Sequence, residues 1–116
     1  MNWHEVIDER SYELHQVVAR ELRRDPAKLR AVVEWIQRWL DDPEYSVRAK
    51  DALAEWLELI ERHGLDGVLE RLADRGEDAV RMRSSSPFAV VMPPDERARI
   101  FQRYEALRPR AHPAGE

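Results

Sequence analysis

Residues 3–24 read WHEVIDERSYELHQVVARELRR, and this stretch sets the fold class. Its apolar side chains recur at multiples of three and four positions, which places them on one face of an α-helix. Most of the intervening positions are polar or charged. The stretch therefore predicts a long amphipathic helix whose inward face carries Trp3, Val6, Ile7, Leu14, Val17, Val18 and Leu22.

Two further helices are predicted downstream. The Asp-Pro pair at residues 25–26 starts the second helix, because Asp caps free amides and Pro fits the first turn without losing a hydrogen bond. Its apolar face extends to about Leu40. Ser46 is the predicted cap of a third helix over residues 47–63, and Gly64 suits the left-handed position that often ends a helix.

The chain changes character after the third helix. Short helical patterns are predicted from Asp66 to Leu72 and again up to about Arg83. Residues 88–92, FAVVM, form an apolar run closed by prolines, and its length and β-branched content favour an extended segment over a helix. A last helix is predicted to begin at Pro94, with an apolar face downstream.

These elements predict an all-α fold. Because the connections are short, the simplest arrangement is a single-domain bundle of four to five antiparallel helices, with a short extended segment before the last helix. We expect residues 1–108 to form this domain and residues 109–116 to form a disordered tail.

Composition excludes several classes of protein. The chain has no cysteine, so disulfides, thiolate metal sites and a cysteine nucleophile are excluded. No apolar run is long enough to span a bilayer, and the acidic start does not resemble a signal peptide, so we expect a cytoplasmic protein with no membrane contact. Seventeen arginines against two lysines suggest a GC-rich bacterial genome.

Charge is unevenly distributed along the chain. Residues 1–80 carry 12 basic and 19 acidic side chains, whereas residues 81–110 carry seven arginines and three acids. The basic part could attract phosphate groups, but the net charge of −4 opposes general nucleic-acid binding. We favour a solvated basic face that balances its acidic neighbours, and we do not expect nucleic acid as a partner.

Motifs for cofactors and metals are absent from the sequence. None of the four glycines belongs to a nucleotide-binding pattern, and the four histidines are too scattered to form a helical metal motif. We therefore expect no cofactor and no metal. His4 and His15 are predicted to face solvent, while His63 suits the C-terminal end of its helix.

One pattern indicates catalysis. Four residues separate Arg10 from His15 in the sequence RSYELH, which resembles the Arg-x4-6-His motif of the HEPN ribonucleases, a family of small all-helical dimers. The resemblance implies that Arg10 and His15 would hold and protonate an RNA phosphodiester. This ribonuclease is our second hypothesis, and the first hypothesis is that the protein is not an enzyme.

Residues 85–97, SSPFAVVMPPDER, are the most distinctive stretch. They resemble a signature of small bacterial helical proteins. In that signature, SSPFA is followed by an apolar run, a proline and a Glu-Arg pair before the final helix. The N-terminal Met-x-Trp and the Asp-Pro-Ala at residues 25–27 add to the resemblance. It implies an antitoxin-like protein that binds a nucleotidyltransferase-type toxin.

Physical reasoning selects the same stretch. An extended segment without a strand partner leaves backbone groups that another chain could satisfy by strand addition, with Phe88 and Met92 as anchors. In the alternative, which we favour, the segment folds back and completes the core. The predicted partner-binding residues are Ser86, Pro87, Phe88, Met92, Arg97 and the aromatic Trp35.

The sequence thus predicts a protein-binding module, the inhibitory or regulatory member of a toxin-antitoxin-like pair. A self-associating helical scaffold, of which a homodimer is the simplest form, is the third interpretation.

Overall fold

The computed structural model describes residues 2–109. Five α-helices and one short 3₁₀ helix follow one another in this range: α1 (Trp3–Arg24), α2 (Lys28–Leu40), α3 (Val47–Ala73), α4 (Glu77–Arg83), the 3₁₀ helix (Phe88–Val91) and α5 (Pro94–Glu105). The predicted all-α single-domain bundle is confirmed. None of these helices is both long and apolar enough to cross a membrane.

Local signals fix several helix ends. The Ser46 hydroxyl accepts a hydrogen bond from the Ala49 N–H at 3.0 Å, so the predicted cap of α3 is confirmed. Gly64 has a φ of 62° and a ψ of −155°, a conformation open in practice only to glycine. Gly64 therefore interrupts α3 where the sequence predicted an end, but the helix resumes and continues to Ala73.

The core forms around α1, which packs against α3, α4, α5 and the 3₁₀ helix. Trp56 of α3 lies in the core at 1% exposure, and its ring meets that of Phe88 edge to face at 5.0 Å. The Trp56 Nε1–H donates to the Met82 carbonyl at 2.9 Å, which satisfies its polar atom. Other buried members of the core are Val18, Leu22, Val32, Ile36, Val68 and Leu72.

The predicted extended segment is wrong, because residues 88–91 form a 3₁₀ helix. In this helix residues three apart lie on the same side, so Phe88 and Val91 are both buried while Val90 is 47% exposed. The Met92 N–H bonds to the Ala89 carbonyl at 3.2 Å, so the backbone finds a partner within the segment. The premise for strand addition is therefore absent. The alternative in which the segment completes the core is confirmed for Phe88, whereas Val90 stays exposed.

The predicted tail at residues 109–116 lies outside the described residues, apart from Pro109. Its disorder stays a prediction.

Candidate functional site

A groove of about 320 Å³ lies between α1, α5 and the connection that contains the 3₁₀ helix. We call it the arginine groove, because Arg10, Arg83 and Arg97 line it. Its other lining residues are Ile7, Ser11, Leu14, His15, Ser84, Ser86, Ala89, Met92 and Phe101. The list contains no aspartate and no glutamate.

The groove brings together residues that two separate sequence patterns selected. Arg10 and His15 belong to the ribonuclease-like pattern, while Ser86, Met92 and Arg97 belong to the stretch predicted to bind a partner. Pro87 and Phe88 of that stretch are buried, so they support the groove from below instead of meeting a partner. Their prediction as direct partner contacts is wrong in this structure.

Trp35 is not part of the groove. It is half-buried on α2 and packs against Trp39 at 5.9 Å, and Trp39 in turn lies 4.9 Å from Tyr45. Both tryptophans pack against the core. The neighbours of Trp35 on α2 and the following connection cover part of its ring, and its role as a partner contact stays a prediction.

His15 joins α1 to the connection before the 3₁₀ helix. Its Nδ1 lies 2.6 Å from the Ser11 carbonyl oxygen and its Nε2 lies 2.7 Å from the Ser86 hydroxyl. Because a carbonyl only accepts, Nδ1 carries the proton and Nε2 accepts the hydrogen bond from Ser86. The prediction that His15 faces solvent is wrong, since the side chain is 5% exposed.

The surroundings keep His15 neutral. Burial, together with the nearby charge of Arg83, lowers its pKa to about 4, against the opposing effect of the hydrogen bond to the Ser11 carbonyl. A neutral ring with both nitrogens engaged acts as a structural link between residues 71 positions apart in the sequence. This link holds one wall of the groove against α1.

Arg10 and Arg97 bracket Phe101. Their guanidinium carbons lie 4.3 Å and 4.4 Å from the centre of the same ring. Within residues 2–109, no carboxylate lies within 4 Å of either guanidinium. Contact with an aromatic face stabilises a cation only modestly. Both charges therefore remain available to an anionic group that enters the groove.

Arg83 lines the groove but was not selected from the sequence. It is 4% exposed, and its Nη1 donates to the carbonyl oxygens of Arg71 and Asp74. Its Nε has no hydrogen-bond partner, and burial lowers its pKa. The helical spacing carried a signal, because Arg83 follows the buried Ala79 by four positions and therefore lies on the inward face of α4.

The groove can bind anions on chemical grounds. The guanidiniums of Arg10 and Arg97 supply accessible positive charge, and Leu14, Met92 and Phe101 supply an apolar surface beside it. In the part of the chain that the structure describes, no three His, Cys, Asp or Glu side chains are grouped to hold a metal ion. The arrangement is therefore that of an all-helical domain with a basic binding groove.

No protein family, curated protein or solved structure matches this chain. Its function is inferred from the groove itself.

Proposed function

We propose that the chain is a protein-binding module and that its partner docks in the arginine groove. The observation that carries this proposal is the unneutralised charge of Arg10 and Arg97 next to an apolar surface. Charged groups beside apolar anchors are typical of protein interfaces, where Arg and aromatic residues contribute much of the binding energy. An arginine left without an acid inside its own fold is suited to one from another chain.

The partner we propose is a nucleotidyltransferase-type toxin, with this chain as the inhibitory member of the pair. The support is the resemblance of residues 85–97 to the SSPFA signature, whose Ser86, Met92 and Arg97 line the groove. In such a pair the inhibitor acts by binding alone. Its own residues then need no arrangement for making or breaking bonds.

Co-expression with the product of the adjacent gene tests the proposal. The two proteins are expected to elute together in size-exclusion chromatography. Replacing Ala89 by Trp places a large side chain in the groove without removing any existing contact, since Ala89 is exposed, and is expected to abolish co-elution. Val47→Trp is the matched control, because Val47 is 76% exposed and does not line the groove.

Separate elution of the two wild-type proteins would contradict the pairing. Light scattering on the chain alone measures self-association on the same material, which tests the scaffold interpretation.

The ribonuclease remains a second candidate, because Arg10 and His15 line one groove. Proton transfer by His15 would require it to leave its hydrogen bonds to Ser11 and Ser86, so the geometry favours the structural role. We expect the purified chain not to cleave a labelled RNA hairpin. Cleavage that is lost in Arg10→Ala, a variant that keeps the His15 link, would support the ribonuclease instead.

A further inference from the structure

We infer that the segment which docks in the arginine groove carries carboxylates next to an apolar side chain. This inference rests on the proposed function and specifies the chemistry of the partner. It follows from the charge and the apolar surface of the groove.

The absence of acids among the lining residues is the first support. Four other hollows on the described surface are each lined by at least one acid, including Glu13 and Glu96 between α1 and α5, and Asp66 and Glu70 along α3. The arginine groove has three arginines and no acid, in a chain of net charge −4. A local excess of positive charge on an acidic protein selects an anionic ligand.

Arg83 gives a weaker, second support. It is almost completely buried, two backbone carbonyls accept hydrogen bonds from its Nη1, and the charges of Asp74 and Asp8 act on it. Because no carboxylate lies within 4 Å of it in residues 2–109, its charge is only partly balanced. An anion in the groove would be attracted to that remaining charge.

The apolar lining of the groove indicates that the docking segment also carries an apolar side chain. Met92 and Phe101 lie in the groove with Leu14 and Ala89. Methionine adapts to side chains of different shape, which suits it to a docking surface. One apolar side chain against Met92, with carboxylates beside Arg10 and Arg97, satisfies both kinds of surface at once.

A peptide fits this site better than a nucleic acid. Proteins that bind nucleic acid without sequence preference neutralise several phosphates along the backbone. The groove offers two accessible guanidiniums, and Asp8 and Glu9 precede Arg10 on α1, where they would repel a longer polyanion. Carboxylates pair with arginine in a bidentate geometry, so a short acidic segment uses these charges fully.

The test uses a fluorescein-labelled peptide with two glutamates on each side of one leucine, flanked by glycine and serine. Fluorescence anisotropy with the full-length protein is expected to show binding that weakens as NaCl is raised, because salt screens the charge pairs. A peptide with glutamine in place of each glutamate is expected to bind at least about tenfold more weakly. Equal binding of the two peptides would overturn the inference.

Two kinds of variant locate the site. Arg10→Gln with Arg97→Gln is expected to weaken binding by about tenfold or more. Ala89→Glu adds a carboxylate at an exposed lining position and is expected to weaken binding relative to Ala89→Gln, without removing any contact. Arg30→Gln with Arg38→Gln is the matched control, because both arginines are exposed on α2 and line no part of the groove.

Undiminished binding to the Arg10→Gln, Arg97→Gln protein would overturn the inference, as would tighter, arginine-dependent binding of an oligouridylate of the same charge. The two proposals can fail separately. If the adjacent gene product still co-elutes with the Arg10→Gln, Arg97→Gln protein, the binding function stands and the inference about the groove fails. If that product never co-elutes but the acidic peptide binds through these arginines, the choice of partner fails and the groove chemistry stands.

Discussion

The two sides of α5 differ in whether their arginines form ion pairs with acids. On one side, Arg20 of α1 forms a bidentate pair with Glu96 at 2.5 and 2.9 Å, and Arg103 pairs with Glu13 of α1. On the other side, Arg10 and Arg97 lie over Phe101 with no acid beside them in the described residues. The paired side joins two helices of one chain. On the unpaired side, the guanidiniums of Arg10 and Arg97 have no acid beside them in the described residues, so an acid of another chain could pair with them.

The largest expected loss of folding stability comes from truncating Phe88, the buried side chain next to the unpaired side. Phe88→Ala leaves a cavity next to Trp56 and is expected to lower the free energy of unfolding by about 3–5 kcal/mol, measured by urea denaturation. Val90→Ala is the control, because Val90 is 47% exposed and its loss should cost about 0.5 kcal/mol or less. Similar losses in both variants would show that Phe88 does not anchor the groove. Phe88→Leu serves the same purpose if Phe88→Ala does not fold.

Lowering the pH is expected to reduce the folding stability that depends on the buried, neutral His15. Burial places the folded-state pKa of His15 at about 4, below the unfolded value of 6.5, so between these values the unfolded chain binds more protons. Stability is therefore complete above pH 6.5 and falls as the pH drops to 4, by about 3 kcal/mol.

Urea midpoints measured across this range test the effect of pH. His15→Gln removes the titrating ring, so its midpoint should change less between pH 6.5 and pH 4 than that of the wild type. Parallel curves for the two proteins would contradict the assignment to His15.

The paired side is expected to make a smaller contribution to stability. Glu96→Gln removes a carboxylate whose hydrogen bond from Arg20 lowers its pKa, and it should lower the urea midpoint by less than Phe88→Ala does. High salt should shrink the difference from the wild type, because the pair is partly exposed. A salt-independent loss would indicate a packing defect instead of a lost ion pair.

The smallest expected effect on folding is at Arg10 and Arg97. Replacing each by Gln removes a contact with Phe101 and should cost about 1 kcal/mol or less. The urea midpoint should stay close to the wild-type value while peptide binding falls. A loss of stability as large as that of Phe88→Ala would show that these arginines hold the fold together, and the contrast between the two sides of α5 would disappear.

Periodicity was enough to predict most of the helices. The faces of α1 and α2, the Ser46 cap and the break at Gly64 all depend on residues close together in the sequence. The 3₁₀ helix was not predicted, because its shape depends on distant groups. Ser86 accepts a hydrogen bond from the Phe88 N–H and donates one to His15, 71 positions earlier. No local pattern contains that contact.

The groove could be predicted only in part. Arg10 and His15 were selected for one reason and Ser86, Met92 and Arg97 for another, and nothing in the sequence indicated that the two sets share a surface. The burial of His15 had a signal in the sequence, because His15 precedes Val18 and Leu22 by three and seven positions and therefore lies on the inward face of α1.

The two walls of the groove come from segments made at different times during synthesis. Arg10 leaves the ribosome early, while Met92, Arg97 and Phe101 follow more than 80 residues later. A growing chain therefore displays no complete groove until α5 has emerged and docked on α1. If a partner docks in the groove as proposed, its recognition must follow translation of both segments, and a truncated product ending before α5 could not compete with the full-length protein for it.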